Sequence, residues 1–194
     1  MNEARRPRVV FDSSLNPHYR QVLESYGQNA QIRTHCLPYA PEAGDASKRL
    51  AEAIDDDTAA LIVQNPDFFG RINDLTALAE ACHARKALLI LVANPISLGI
   101  LKTPGEMGAD IAVGEGQPLG MRLNYGGPYL GFIACTEKLM RRLPGRLVGE
   151  TQDKAGRRGY VLTLQAREQH IRRERAASNI CSNEALCALQ ALAY

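Results

Sequence analysis

Apolar residues along this chain fall into two alternating rhythms. Val9, Val10 and Phe11 form a short continuous run within residues 8–12, which predicts a buried strand. Asn16-Pro17 follows with a helix N-cap and a proline at the first helical position. Tyr19, Val22, Leu23 and Tyr26 then recur at the i, i+3, i+4, i+7 spacing of one helix face, and Gly27 is expected to close that helix. The pattern repeats, with a strand predicted over residues 31–37, a helix over 45–54 with Leu50 and Ile54 inward, and a second apolar strand over 59–64. Asn73 or Asp74 is placed to cap a helix that turns Leu75, Leu78, Ala79 and Cys82 to one side. Residues 87–93 are apolar throughout, as in strands covered on both faces. Such alternation with short connections predicts an α/β fold, three layers α-β-α around a mostly parallel sheet with right-handed crossovers.

From Thr103 onward the texture changes. A short helical turn, a strand at 111–113, a glycine-rich stretch and a strand at 129–135 are expected, the last two strands close enough for an antiparallel return. Residues 141–159 are basic and poor in apolar side chains, which predicts a surface excursion. A strand is expected at 160–164, and an amphipathic helix from 183 to the end, packed through Leu186 and Leu189. The division expected is a single domain over 1–194, with a βαβ core over about 8–135 and a basic, interface-forming segment over about 136–194.

Composition narrows the function classes. The 194 residues are 45% hydrophobic with formal charge +2, and neither a membrane span nor a signal peptide is visible, so a cytoplasmic protein or a piece of a longer polypeptide is expected. The five cysteines, at 36, 82, 135, 181 and 187, include no C-x-x-C pair, and His18, His35, His83 and His170 are dispersed, which argues against a disulfide framework or a metal centre. Charge is uneven: residues 138–175 hold 11 of the 23 Lys/Arg but 4 of the 21 Asp/Glu. That quarter of the chain is expected to meet anions.

Ligands of open α/β sheets bind beyond the carboxyl ends of the parallel strands. Three loops belong there: residues 65–70, 94–99 and 114–120, the first two opening on Asn-Pro and the third, Gly114-Glu115-Gly116-Gln117-Pro118-Leu119-Gly120, holding three glycines. Asn-Pro is equally ordinary turn chemistry. The glycine loop is suited to backbone approach of an anion, but it has neither the lysine of a phosphate loop nor the spacing of a dinucleotide fingerprint. Gly126 and Gly127 form a second turn before a strand. Arg167, His170, Arg172 and Arg173 lie in a segment that reads either as a salt-bridged helix face or as a carboxylate or phosphate site. Nucleic acid is disfavoured because the cluster has no interleaved aromatics and overall charge is nearly balanced.

Three stretches carry a resemblance. The run from Asn94 through Gly120, then Tyr125-Gly-Gly-Pro-Tyr-Leu-Gly-Phe132, then Arg167-Glu-Gln-His-Ile-Arg-Arg-Glu174 with Ser178-Asn-Ile-Cys-Ser-Asn-Glu-Ala-Leu186, closely resembles the glycine cleavage system P-protein family, the decarboxylating glycine dehydrogenases, in the subunit 1 form of the two-subunit enzyme. The resemblance implies the large domain of a fold-type-I pyridoxal phosphate (PLP) enzyme. An amino-terminal segment and a carboxy-terminal small domain would lie outside this stretch. It also implies chemistry in which glycine loses CO₂ on PLP and its aminomethyl group passes to the lipoyl arm of the H-protein. Such chemistry needs a Schiff-base lysine and an acidic partner for the pyridinium nitrogen. In catalytic relatives the acid ends the strand matching 87–94, where Val92 lies here, and the lysine follows the strand after Asp110, where Gln117 and Pro118 stand. No lysine occurs between Lys102 and Lys138.

The resemblance thus implies a subunit with no Schiff-base lysine and no covalently bound cofactor, completing the site of a PLP-bearing subunit 2 within a heterotetramer. Asn124, Tyr125, Gly126 and Gly127, with the 114–120 loop, are expected at the cofactor or subunit interface. Arg167, His170, Arg172 and Arg173 are expected to face substrate or partner. The alternative is an assembly or binding domain of the same fold without catalysis of its own. An independent nucleotide-binding protein is a third and weaker reading.

Overall fold

Val9 to Phe11 pair on both sides because the first strand, β1 (Arg8–Asp12), lies inside the sheet, flanked by β2 (Arg33–Leu37) and β3 (Thr58–Asn65). The computed structural model describes residues 6–41, 46–144, 147–164, 173–175 and 184–194. They fall into two compact units, residues 1–136 with 185–194, and residues 137–184.

The first unit holds a six-stranded sheet of order β2-β1-β3-β4-β5-β6, with β4 at Leu88–Ala93, β5 at Ile111–Glu115 and β6 at Gly131–Cys135. Strands β1 to β5 are parallel, and β6 returns antiparallel to β5. Successive side chains point to opposite faces. Val10, Leu61, Val63, Leu89 and Leu91 pack on one side against Leu50 of α2 (Ala46–Glu52) and Leu75, Leu78 and Cys82 at and along α3 (Thr76–Ala84). Phe11, Ile62 and Val92 face the other way, toward Leu15 and Leu23 of α1 (Pro17–Asn29) and its entry loop. This is the three-layer α-β-α fold with a mostly parallel sheet.

Three helix expectations change, the first being that α3 has Leu75 and neither Asn73 nor Asp74 at its N-cap, although Asp74 Oδ1 accepts the Thr76 amide at 3.0 Å. Asn16 does cap α1, its Oδ1 accepting the His18 N–H at 2.9 Å, but the helix continues through Gly27 to Asn29. A Cβ at Gly27 would stand 3.2 Å from the Ile32 carbonyl oxygen and from Thr34 Cγ2, so the glycine admits the close approach of the returning chain and does not end the helix. The last helix, α4 (Glu184–Ala193), buries Cys187 while Leu186 and Leu189 are exposed. Its contacts with the glycine loop come instead from two exposed residues: the Gln190 side-chain amide donates to the Gly120 carbonyl at 3.2 Å, and Tyr194, just past the helix, lies against Gly120.

In the second unit a 3-10 turn at Glu137–Arg142 precedes two antiparallel strands, β7 (Leu147–Gln152) and β8 (Arg158–Thr163). The expected excursion is therefore largely a hairpin. Asp153 builds its turn, accepting the Ala155 and Arg157 amides at 2.8 and 2.9 Å and the Arg157 guanidinium at 2.9 Å. Those local bonds replace the apolar periodicity by which the strands could have been read.

Cys82 gives the core a pH signature. Burial first, and the charge of Asp110 second, push its thiol up to about 12 from 9.0. A folded-state value above the unfolded one stabilises the fold below pH 9 and is lost as pH rises toward 12, where the unfolded chain ionises first. The denaturant midpoint should fall more steeply with pH between 9 and 12 in the native sequence than in Cys82→Ala; parallel slopes in urea titrations would contradict this.

Candidate functional site

The strand order reverses between β1 and β3, since one connection from β1 leads outward to β2 and the chain then crosses back to β3. Crevices beyond the carboxyl ends of parallel strands at such a point are where open sheets take ligands. A cavity of about 250 Å³ lies there, lined by Asn16 and Tyr19 after β1, Gln64, Pro66 and Asp67 at the end of β3, Val92 to Asn94 at the end of β4, and Gly114, Glu115 and Pro118 at the end of β5. A larger apolar hollow of about 440 Å³, against the sheet face that α1 covers, shares Tyr19, Val92, Gly114 and Glu115 with it.

Each loop is fixed by its own side chains. Gln64 Oε1 accepts the Asn16 amide at 2.9 Å, tying the β1 loop to β3. The buried Asp67 carboxylate accepts the Phe69 and Arg71 amides at 2.9 Å each and the Arg71 guanidinium at 3.0 Å. Arg71 also lies over the Tyr39 ring, 4.6 Å from its centroid, and that ring stacks on Phe69 at 4.3 Å. Asn94 Oδ1 accepts the Ile96 amide at 3.0 Å. Glu115 Oε1 accepts the Gln117 amide at 3.1 Å and the Leu130 amide at 2.6 Å, holding the glycine loop against the start of β6. Gly114 is set by space: a Cβ there would stand 2.3 Å from the Ala93 carbonyl oxygen and 2.4 Å from the Phe132 ring.

The charge of the lining is negative. Asp67 is offset by Arg71, whereas both hydrogen-bond partners of Glu115 are neutral amides. Tyr19 responds to this: burial first, and the Glu115 charge second, push its hydroxyl above its ordinary value of 10.0, so it stays protonated. Most amides of the glycine loop are already engaged. Its Gly116, Gln117 and Leu119 amides donate to Leu130 O, Glu115 Oε1 and Gly116 O, which leaves none of the three to a ligand.

The structure brings Val92 and Pro118 into one cavity. Gln117 is not in the lining; its side-chain amide reaches the Arg122 carbonyl at 3.4 Å. Asn124, Tyr125, Gly126 and Gly127 stand apart in an exposed turn closed by an Asn124–Gly127 bridge, with positive φ of 95° and 143° at the two glycines and Tyr125 fully in solvent. Arg173 is exposed in a 3-10 turn, Arg173–Arg175, and Arg167, His170 and Arg172 lie outside the described residues. Tyr19 and Gln64 were missed as lining residues. Neither is marked in the sequence: Gln64 is one of two adjacent amides that close an apolar strand, and Tyr19 satisfies the helix periodicity.

The model of the glycine cleavage system P-protein family matches residues 1–194. The chain belongs to that family. It is 57% identical over 189 residues to a protein of Geotalea daltonii, and 56% over 185 residues to one of Desulfitobacterium hafniense, both named probable glycine dehydrogenase (decarboxylating) subunit 1. These alignments cover 97% and 95% of this chain but 42% and 41% of the relatives, so the chain spans less than half of their length. Among solved structures, a glycine decarboxylase (P-protein) of the glycine cleavage system in inhibitor-bound form superposes with TM-score 0.87 at 45% identity, covering 99% of this chain and 43% of that one. A cystathionine gamma-lyase from Lactobacillus plantarum superposes at 0.56 with 15% identity, covering 71% and 34%, and shows the fold alone. The fold is that of the large domain of fold-type-I PLP-dependent enzymes.

PLP-dependent members of this P-protein family imply a cofactor that the cavity can be tested against. PLP asks for a lysine amine, a carboxylate against its ring nitrogen and donors for its phosphate. Among the described residues the lining holds no lysine, arginine or histidine, and the end of β4 offers Val92, Ala93 and Asn94. Its one carboxylate without a cation, Glu115, repels a phosphate. The described lining does not fit the cofactor.

Steric closure at Gly114 yields a test of this geometry. Gly114→Ala should lower stability by about 1–3 kcal/mol, as expected for overpacking, with loss seen in the thermal midpoint. An unchanged midpoint would mean that the Ala93 carbonyl and the Phe132 ring leave room beside Gly114.

Proposed function

We propose that this chain is part of the subunit of a two-subunit glycine dehydrogenase (aminomethyl-transferring, decarboxylating) that does not anchor PLP. The reading is carried by one observation: Val92 and Pro118, at the two positions where catalytic relatives are expected to hold the acid and the lysine, line the same cavity. PLP and its lysine then belong to the partner subunit, and this chain completes the partner's site in a heterotetramer. Glycine is the substrate, its aminomethyl group passes to the lipoyl arm of the H-protein, and the location is cytoplasmic. No helix among the described residues is long and apolar enough to cross a membrane. The domain division proposed is one large-domain fragment, with a core over about 8–135 and a basic segment after it.

The role proposed for the 124–127 turn follows from its exposure, and that of the basic residues from their charge. The turn at 124–127 presents Tyr125 to solvent on two glycines, a form suited to insertion into a neighbouring surface, and it is assigned to the interface with the PLP-bearing subunit. Arg167, His170, Arg172 and Arg173 are assigned to partner carboxylates or to the path of the lipoyl arm.

Two measurements test this. After borohydride reduction of the assembled complex with PLP, pyridoxyl-lysine should be found on the partner subunit and none on this chain; a modified lysine here would overturn the reading. Tyr125→Ala should lower glycine turnover by about tenfold or more, the range for a buried aromatic anchor, with the circular dichroism of the subunit unchanged. Native turnover would remove the turn from the interface.

A further inference from the structure

The polar cavity and the apolar hollow are continuous in composition. Tyr19, Val92, Gly114 and Glu115 line both, so a ligand seated beside Glu115 has polar groups on one side and Leu15, Val22, Leu23, Ile62, Ile90 and Val113 on the other. Of the groups facing the polar part, Asp67 is held by Arg71 and two amides, and the amide oxygens of Gln64 and Asn94 each accept one N–H. An amide or carboxylate oxygen has a second lone pair to offer. The Glu115 Oε2 atom accepts no hydrogen bond within the described residues, and no cationic side chain forms an ion pair with that carboxylate. The Tyr19 hydroxyl likewise makes no hydrogen bond within the described residues.

We infer that this cavity is a binding site for a primary alkylammonium: the –NH₃⁺ group donates to Glu115 and the flanking amide oxygens, and a short apolar tail runs past Val92 into the hollow. The electrostatics exclude the converse. A phosphate or carboxylate would meet an uncompensated negative charge with no cation in the described lining, whereas an ammonium gains a charge-assisted hydrogen bond in a part-buried setting. The three N–H bonds of an ammonium have three acceptor residues in the same lining, Gln64 of β3, Asn94 just after β4 and Glu115 of β5. The apolar side gives selectivity for tail length, because each methylene removed from water adds to affinity. The positions that would hold PLP in catalytic relatives thus form, in this chain, a site of opposite charge preference.

The test is calorimetric titration of the full chain, without partner subunit and without PLP, using butylammonium, methylammonium, acetate and inorganic phosphate. Butylammonium should bind saturably and about tenfold or more tighter than methylammonium, in line with three added methylenes in an apolar groove, while acetate and phosphate give no heat of binding. Glu115→Gln, which keeps an acceptor for the Gln117 and Leu130 amides, should weaken butylammonium about tenfold or more. Glu80→Gln, on the exposed face of α3, should leave it unchanged. Phosphate or acetate binding as tight as butylammonium, equal affinity for the two amines, or native affinity in Glu115→Gln would each overturn the inference. None of these outcomes bears on which subunit carries the pyridoxyl-lysine, so the two proposals fail separately.

Discussion

Because β3, β4 and β5 run parallel and in fixed register, the ends of three strands arrive together at one edge. Gln64 is paired with Val92 and Val92 with Val113, while the next row brings Asn65, Ala93 and Gly114 side by side. That pairing is stable because β3 from Ala59 to Val63 and β4 throughout are apolar and packed on both faces, so a one-residue slip would reverse every side chain between the two cores. The cavity depends on it. Residues separated by fifty positions in the chain share a wall only because the register leaves them no alternative.

Polarity at that edge follows from how each strand ends. A parallel strand must shed its backbone bonds into loops, and here side chains take them up: Asn65 closes on the Asn73 backbone with both atoms of its amide, Asp67 gathers three donors, and Glu115 gathers two. Acidic and amide groups at these positions are first of all structural, a consequence of satisfying N–H groups in a crevice. Their negative field is a by-product that determines what the crevice can accept. The excess of basic residues, by contrast, lies within the sequence of the second unit, 137–184.

How much was legible in the sequence depended on whether one residue served one purpose. The apolar runs of β1, β3 and β4 and the face of α3 are set by packing, and the observed elements lie close to the limits that the apolar pattern predicts. Val92 and Pro118 could be singled out through the resemblance, since absence of a lysine or carboxylate is a matter of letters. Gly27 is ambiguous in the sequence because a glycine near a helix end satisfies both termination and close packing, and only the neighbouring Ile32 and Thr34 decide between them. Leu186 and Leu189 have the periodicity of a buried face, yet they are exposed, and the contacts with the Gly120 loop come from Gln190 and Tyr194. Tyr19 and Gln64 were invisible as cavity residues because the geometry that gathers them is the sheet's and not the chain's.

The crowding around Gly114 has an evolutionary side. A residue at the end of β5, between the cavity and its apolar annex, would be the most direct place from which to project a new functional group, but the Ala93 carbonyl and the Phe132 ring close it to every side chain. Variation that alters what this cleft recognises is thereby channelled into its neighbours, Val92 on one side and Glu115 and Pro118 on the other. The fold thus limits not only what the site holds now but the small set of single substitutions by which it can change.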